Sequence, residues 1–236
     1  MPVSPRRAAE PAPASETARL IGVDFGYADA PGVLRDVNLV LPSGSFHFLT
    51  GPSGAGKSSL LRLLSLSMRP ASGQIALFGQ PVDAADRRAR PAFRRRIGLV
   101  FQDFRLLDHL DVFDNAALPL RLVGQKRAAY ADDVIEMLRW VGLGDRLSAR
   151  PPCLSGGEQQ RLAIARAVMA RPELILADEP TGSVDAVMAD RLLKLFQTLN
   201  RQGTTVLIAS HDETLADRSG AHRLRLEAGR LTGGAA

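Results

Sequence analysis

The sequence of 236 residues has little cysteine, few aromatic side chains and no long hydrophobic run. Because Cys153 is the single cysteine, the chain cannot form an internal disulfide. No run of about eighteen apolar residues occurs, so no segment is predicted to span a membrane. The N-terminus also lacks the apolar stretch of a signal peptide. Together these absences predict a cytoplasmic protein.

The charge and the aromatic content bear on possible partners. A net charge of +5 is compatible with binding to nucleic acid or to an anionic membrane surface. Aromatic residues make up only 5% of the chain, and none are interleaved with the arginines as stacking on bases requires. We therefore interpret the arginine run at 94–96 as a solvated surface and expect no nucleic-acid partner.

The pattern along the chain indicates one α/β unit behind a short tail. Residues 1–18 are rich in Pro, Ala, Arg and Ser without periodicity, which predicts a disordered tail. In residues 19–236 strand-like and helix-like segments alternate, with a mostly helical stretch at about 103–168. The short apolar segment 174–177 is typical of a central parallel strand that is buried on both faces. This order predicts a three-layer α/β core with an inserted helical subdomain.

The individual elements follow from periodicity and from Gly and Pro breaks. Predicted strands cover 20–25, 33–41, 45–49, 74–78, 97–101, 174–177 and 204–209. Predicted helices cover 57–68, 112–123, 128–141, 158–171, 185–201 and 212–217. Leu224, Leu226 and Leu231 are expected to close the sheet.

A phosphate-binding loop follows the third predicted strand. It fits the pattern GxxxxGK[ST] with Gly51, Pro52, Ser53, Gly54, Ala55, Gly56, Lys57 and Ser58. The glycines let backbone N–H groups point at phosphates. Lys57 would bring positive charge to the β- and γ-phosphates, and the Ser58 hydroxyl would be one ligand of Mg²⁺. Because the motif lies between a strand and a helix, we predict a nucleoside triphosphate site here.

Polar side chains follow three other predicted strands. Asp178 and Glu179 come directly after 174–177, at the sheet edge where ligands of open α/β sheets bind. Asp178 is predicted to join the Mg²⁺ shell, and Glu179 to polarise the attacking water. Gln102 could offer its amide oxygen to Mg²⁺ and water. His211 is a candidate partner of the γ-phosphate.

Two further features complete the candidate nucleotide site. Tyr27 ends the first predicted strand and could stack on adenine, or it could be a core aromatic. A small-residue turn at 155–157 opens the predicted helix 158–171, so that free N–H groups and the positive helix end face outward. A chain with two such anion-binding helix starts could hold one nucleotide between two copies of itself.

Taken together, these motifs resemble those of the ATP-binding cassette (ABC) ATPases, because LSGGEQQR at 154–161 matches the ABC signature. The other matching segments are Tyr27 as A-loop, 51–58 as Walker A, Gln102 as Q-loop, 174–179 as Walker B with its glutamate, 183–185 as D-loop and His211 as H-loop. The match runs from about Leu20 to Leu231. It implies an α/β, ABC-type nucleotide-binding domain: a P-loop RecA-like core with an antiparallel β subdomain and a helical signature subdomain.

The same resemblance implies the cofactors and the assembly. ATP and Mg²⁺ would bind, and a homodimer would form on ATP binding. Each nucleotide would contact the phosphate loop and Ser59 of one subunit, and the signature of the other. The signature residues concerned are Ser155, Gly156, Gly157 and Glu158.

Within this superfamily the chain resembles the FtsE family of cell-division ATPases. The similar segments are 48–51, 94–98, 100–103, 106–107, 114–120 and 177–182, whereas Ser59 replaces the usual Thr and Ser183-Val184-Asp185 the more common Asn-Leu-Asp. The resemblance implies an ATP-hydrolysing subunit on the cytoplasmic side of the inner membrane. It would pair with an integral membrane partner, an FtsX-like permease docking near Gln102, and control septal cell-wall hydrolysis.

Three alternatives remain open at this point. Lipoprotein-release and macrolide-export ATPases share most of these segments. A soluble ABC protein acting on nucleic acid would carry a coiled-coil insertion or a second ATPase domain, and neither occurs in this sequence. A binding scaffold without hydrolysis is disfavoured by Glu179 and His211.

The apolar residues after Gln102 have two possible roles. Phe104, Leu106, Leu107 and Phe113 could form a groove for a cytoplasmic helix of the partner. They could equally be the core of the helical subdomain.

Overall fold

The computed structural model describes residues 15–83, 86 and 88–233. The strands are β1 (Glu16–Phe25), β2 (Leu34–Pro42), β3 (Phe46–Thr50), β4 (Ser72–Leu77), β5 (Gln80–Pro81), β6 (Ile97–Val100), β7 (Leu174–Asp178), β8 (Thr205–Ala209), β9 (His222–Glu227) and β10 (Arg230–Thr232). The helices are α1 (Lys57–Leu64), α2 (Arg90–Arg94), α3 (Val112–Leu122), α4 (Ala131–Trp140), α5 (Gly156–Val168), α6 (Ala186–Arg201) and α7 (Glu213–Ser219). Among the described helices, none is long and apolar enough to cross a membrane.

A six-stranded sheet in the order β10-β9-β3-β8-β7-β6 forms the centre of the molecule. The strands from β9 to β6 are parallel, as expected for strands joined by helical crossovers. Side chains of β7 alternate between two cores: Leu174 and Leu176 face one, and Ile175 and Ala177 face the other. This confirms the prediction of a central strand buried on both faces.

A four-stranded antiparallel sheet, β2-β1-β4-β5, covers one face of the central sheet together with α1. Helices α6 and α7 and part of α5 cover the other face. Strand β1 begins at Glu16, so the predicted end of the tail at residue 18 is wrong. Thr17 and Ala18 are buried in the sheet, because β1 pairs with both β2 and β4 at this point. The rest of the predicted tail, 1–14, lies outside the described residues.

The segment between β6 and β7 contains α3, α4 and α5, and it has its own core. Val112, Val134 and Leu162, one from each helix, are fully buried there. Buried Asn115 holds the approach to α3: its side chain accepts from Leu107 N and donates to the carbonyl oxygens of Leu107, Leu110 and Asp111. The predicted helical stretch is thus present, and it carries the residues that follow Gln102.

Helix α1 is shorter than its apolar pattern predicts, ending at Leu64 instead of residue 68. Leu66 takes a left-handed conformation with φ of 56°, which allows Ser67 N and Met68 N to donate to Arg62 O. Such a terminus usually carries glycine, so a leucine at this position does not indicate that the helix ends here. Here the side chain of Leu66 is buried in the core, and this burial offsets the strain.

A buried imidazole makes stability depend on pH. His47 on β3 is 6% exposed, and burial, with a smaller effect of nearby His222, lowers its pKa from 6.5 to about 4. The unfolded chain therefore takes up a proton first as the pH falls. The stabilisation is complete above pH 6.5 and is lost as the pH falls from 6.5 to about 4. At about pH 5 we expect a loss of about 2 kcal/mol from this residue.

Urea unfolding of the wild type and of His47→Gln at about pH 7.5 and about pH 5 measures this contribution. The wild type should lose about 2 kcal/mol more than the variant, which keeps an amide facing Ser45 but does not titrate. His109→Gln removes an exposed histidine and should behave as the wild type. Equal losses in the wild type and in His47→Gln would contradict the assignment.

Candidate active site

A cavity of about 750 Å³ lies at the carboxyl edge of the central sheet. Its walls contain most of the predicted site residues, namely Tyr27, Ser53, Gly54, Gly56, Lys57, Ser58, Ser59, Gln102, Asp178, Glu179 and His211. They come from segments far apart in the sequence, which the parallel strands bring to one edge. The walls do not include Gly51, Pro52, Ala55 or the four predicted signature residues.

The phosphate loop connects β3 to α1 in a backbone conformation that depends on glycine. Gly51, Gly54 and Gly56 all have positive φ. A Cβ on Gly51 would lie 2.1 Å from the Leu226 carbonyl oxygen, so only glycine fits this position. Lys57, the first residue of α1, is 9% exposed, and its Nζ donates to Gly51 O at 2.7 Å and to Pro52 O at 3.0 Å. The ammonium group is therefore fixed at the centre of the loop, beside the positive end of the helix.

Tyr27 lines the cavity while its hydroxyl is held by α1. The hydroxyl lies 3.1 Å from Ser59 Oγ and accepts from Arg62 Nη1 at 3.4 Å. The ring packs edge-on against Phe25, at 5.0 Å between centroids. Tyr27 thus lines the cavity and also packs against the core, and buried Ser59 contacts its hydroxyl.

Ser58, Gln102 and Asp178 lie together in one part of the cavity wall. All three also line an adjoining cavity of about 350 Å³, so they lie at the boundary between the two. Burial raises the pKa of Asp178, and the neighbouring Glu179 raises it further. A hydrogen bond from Ser58 and the charges of Arg62 and Lys57 act in the opposite direction. A hydroxyl, an amide and a half-buried carboxylate thus lie at the boundary between the two cavities.

Glu179 and His211 make direct contact. Glu179 follows β7 in a left-handed conformation with φ of 48°, and its backbone N–H donates to Ala209 O at the end of β8. Its Oε1 accepts from His211 N at 3.0 Å and lies 2.9 Å from His211 Nδ1, while Ser210 Oγ donates to Oε2 at 3.1 Å. Because a carboxylate only accepts, His211 Nδ1 carries the proton. Both carboxylate oxygens are therefore held in a fixed orientation.

The signature residues form the start of α5. Ser155 is the N-cap, and its hydroxyl accepts from Glu158 N at 3.3 Å. Glu158 Oε2 accepts from Ser155 N at 2.8 Å, which completes a capping box and lowers the pKa of Glu158. Gly156 and Ser155 are exposed. A Cβ on Gly157 would lie 2.9 Å from the carbonyl oxygen of Ser183, a cavity residue, so the helix start lies beside the cavity but outside it.

The cavity also contains residues that were not predicted as site residues. Gln160 on α5 is 1% exposed, and its Nε2 has no hydrogen-bond partner among the described residues. Gly182 and Ser183 follow Glu179 and form part of the wall, although Ser183 was predicted only as part of the D-loop, with no role of its own. Gln160 stands inside the signature motif, and its position in that motif is the signal that could have identified it.

Apart from these two cavities, a groove of about 510 Å³ lies between the central sheet and the helical segment. Leu107 lines it, but Phe113 is buried in the core of the helical segment and Leu106 packs against that core. Of the two predicted roles, Leu107 thus has the groove position, whereas Leu106 and Phe113 belong to the core of the helical segment. The apolar walls also include Phe101, Leu118, Leu122 and Val123, and the basic residues at the groove are Arg94, Arg95, Arg105 and Arg166.

The loop, the two acidic residues at the end of β7 and the parallel sheet define a P-loop nucleoside triphosphatase. The model of the ABC transporter family matches residues 34–182. The chain therefore belongs to the ABC transporter family: it is an ABC ATPase, which binds and hydrolyses ATP. The ABC fold and the resemblance predicted from the sequence are confirmed.

Known relatives cover nearly the whole chain. The cell division ATP-binding protein FtsE of Mycobacterium tuberculosis is 43% identical over 204 residues, which are 86% of this chain and 89% of that protein. The lipoprotein-releasing system ATP-binding protein LolD 1 of Caulobacter vibrioides is 43% identical over 203 residues, 85% of this chain and 86% of the relative. A dimeric structure of the ATP-binding cassette MJ0796 bound to ADP and Pi superposes with a TM-score of 0.86 and 32% identity, covering 91% of this chain and 96% of that one.

Proposed function

We propose that this ABC ATPase couples ATP-driven closure of a homodimer to an FtsX-type membrane partner in cell division, on the cytoplasmic side of the inner membrane. The observation that supports ATP hydrolysis is that Lys57, Asp178, Glu179 and His211 line the same cavity. The cell-division part is supported by FtsE relatives at 43% identity in Mycobacterium tuberculosis and 42% in Escherichia coli.

The residues at the boundary between the two cavities fit Mg²⁺. Mg²⁺ prefers oxygen ligands and takes few of them from the protein. Ser58, Gln102 and Asp178 supply a hydroxyl, an amide and a carboxylate oxygen. A divalent cation would also offset the burial that raises the pKa of Asp178. When bound, the ion would neutralise charge on the β- and γ-phosphates.

The remaining roles follow from the directions of the polar groups. Lys57 and the loop amides would hold the phosphates, and the face of Tyr27 would support adenine. Glu179, fixed by Ser210 and His211, would orient the attacking water. Nε2 of His211, the ring nitrogen that does not contact Glu179, would donate to a γ-phosphate oxygen when the ring is protonated at both nitrogens.

Dimer closure would complete each site. Within one chain the signature residues do not line the cavity that holds the phosphate loop. The relative bound to ADP and Pi is a dimer. We propose that Ser155, Gly156 and Gly157 of one copy contact the nucleotide held by the other. Glu158 would act through Ser155, because its carboxylate is committed to the capping box.

The groove of about 510 Å³ is the observation that favours a membrane partner. Leu122 is 68% exposed and Val123 47% exposed, which is unusual for adjacent large apolar residues. The charged side chains at the groove are all arginines among the residues that the structure describes. These features fit a short partner helix that carries apolar and acidic side chains.

Co-purification tests the partner. Glu179→Gln protein with Mg-ATP serves as bait for detergent-solubilised membranes, and the retained membrane proteins are identified. We expect an FtsX-type protein, and we expect Leu122→Glu in the same bait to lose it, because a carboxylate would enter an apolar wall. Ile21→Glu is the matched control, since Ile21 is 48% exposed on β1 and lies outside the groove. Bait that binds ATP but retains no membrane protein would contradict the coupling.

Lipoprotein release is the second candidate function. It is favoured by the 43% identity to LolD 1, which equals the identity to the mycobacterial FtsE. In the same experiment, a lipoprotein-release permease bound through the groove would establish this candidate. The roles of the nucleotide site would remain unchanged, and only the assignment to cell division would be overturned.

A further inference from the structure

The segment that follows Gln102 has a conformation that needs outside support. Phe104 and Arg105 are consecutive residues with φ of 55° and 48°. Side chains with a Cβ rarely adopt this left-handed region, and two in succession are strained. Within the segment, Phe104 N donates to Phe101 O and Arg105 N to Asp103 O. The position of Gln102 in the cavity therefore depends on whatever holds the tight turn at 102–105.

The side chain of Arg166 on α5 holds this turn by binding the turn's backbone carbonyl oxygens. Its Nη2 donates to Phe104 O at 2.7 Å, and its Nη1 donates to Arg105 O at 2.7 Å. The two bonds bind the carbonyl oxygens of both left-handed residues. Burial lowers the pKa of Arg166, and no carboxylate pairs with it among the described residues. A charged group is thus partly removed from water to bind two carbonyl oxygens.

The same helix begins at the ABC signature. Ser155 caps α5, and Gly156 is its first residue. Gly156 and Arg166 are separated by about 15 Å of continuous helix at 1.5 Å per residue. A displacement of the turn at 102–105 would therefore move the signature with it. Arg105, Leu107 and Arg166 also line the groove proposed for the membrane partner, so a helix bound there would touch the same connection.

We propose that Arg166 is a positioning residue that couples the turn at 102–105 to the signature helix. Engagement of nucleotide by Gln102 in one site would in this way move Ser155, Gly156 and Gly157, which serve the other site. The inference rests on the proposed function, because it requires Gln102 to respond to Mg-ATP. It adds to that function the contact through which the two sites of a dimer influence each other.

Hydrogen–deuterium exchange of the full-length chain tests this coupling. The parent is Glu179→Gln, which should hold ATP without turnover, and the variant adds Arg166→Gln. Without nucleotide, the variant should exchange about tenfold faster at 103–106, because hydrogen bonds to a charged donor are lost. With Mg-ATP, both proteins should become protected at the phosphate loop, 51–58. Only the parent should also become protected at 154–160.

Two further variants separate coupling from general loosening. Arg191→Gln is the matched control, because Arg191 Nη2 also donates to a backbone carbonyl, Trp140 O at 2.7 Å, from a different helix. It should keep the ATP-dependent protection at 154–160. Arg166→Lys keeps the charge but lacks the planar fork that reaches two acceptors, so it should restore that protection only in part.

Each result decides the question. Full protection at 154–160 in Arg166→Gln would overturn the coupling. Loss of protection at 51–58 together with faster exchange throughout the chain would overturn it too, since Arg166 would then be only structural. A parent protected at 51–58 but not at 154–160 would refute the inference while leaving ATP binding intact. A parent with no protection at 51–58 would instead refute the proposed function itself.

Discussion

Glu179→Gln should lower kcat for ATP hydrolysis by roughly 10²–10⁴-fold, the usual contribution of a positioned proton acceptor. Glutamine has the shape of glutamate, and the surrounding contacts can accept it. Its amide oxygen can still accept from His211 N, and its NH₂ group can donate to Ser210 Oγ, whose hydroxyl is free to rotate. The change therefore removes the negative charge that we propose orients and polarises water, but it leaves the cavity intact.

Phosphate release at saturating Mg-ATP gives kcat, and titration with a fluorescent ATP analogue gives the dissociation constant. The dissociation constant should stay within about threefold of the wild type, because Glu179 is not among the phosphate-holding groups. Asp190→Asn is the matched control: Asp190 is a surface carboxylate that accepts from Arg218 at 2.7 Å, and its loss should leave kcat unchanged. Retention of more than roughly a tenth of the wild-type kcat would exclude Glu179 from this role.

The central strand and its carboxylates could be predicted because local sequence determines them. Four apolar residues in succession fit a strand that is buried on both faces, and β7 occupies that position between β8 and β6. The polar residues that follow must then lie at the carboxyl edge of the sheet. Asp178 and Glu179 are found there, in the wall of the cavity.

The contact between Glu179 and His211 could not be predicted, because it depends on tertiary register. The two residues are 32 positions apart and are brought together by the pairing of Asp178 with Ala209 in neighbouring strands. The left-handed conformation of Glu179 then turns its side chain towards the end of β8. The sequence placed both residues at one sheet edge, but no local pattern specifies that they touch.

Local pattern also fails to separate an apolar groove from an apolar core. Leu107 and Phe113 are similar in character and only a few residues apart, yet one lines the groove and the other is buried. The difference arises from the packing of α3 against α4 and α5, which encloses Phe113 with Tyr130. Which residues remain accessible to a partner is therefore a property of the helix arrangement.

Lys57→Ala should raise the dissociation constant of ATP by about a hundredfold, because charge-assisted hydrogen bonds contribute roughly 1.5–3 kcal/mol each and 1.4 kcal/mol is tenfold. Lys57 is 9% exposed, and its ammonium group donates to Gly51 O and Pro52 O. In the proposed site it would reach phosphates without first being ordered, so little conformational entropy would oppose its contribution to binding. Affinity itself should fall, unlike in Glu179→Gln, where only turnover falls.

Isothermal titration with ATP in the presence of Mg²⁺ measures this loss. Lys57, Lys126 and Lys194 are the lysines of the chain, and Lys126→Ala is a suitable control because Lys126 is exposed and outside the cavity.

Removing Lys57 also takes a donor from two loop carbonyl oxygens, so loosening of the loop could by itself weaken binding. Lys57→Arg distinguishes the two causes, since it keeps the charge but carries it on a larger planar group with a different donor geometry. If charge dominates, Lys57→Arg should bind ATP more tightly than Lys57→Ala. If loop order dominates, both variants should be equally weak, and unaltered affinity in Lys57→Ala would remove Lys57 from phosphate binding altogether.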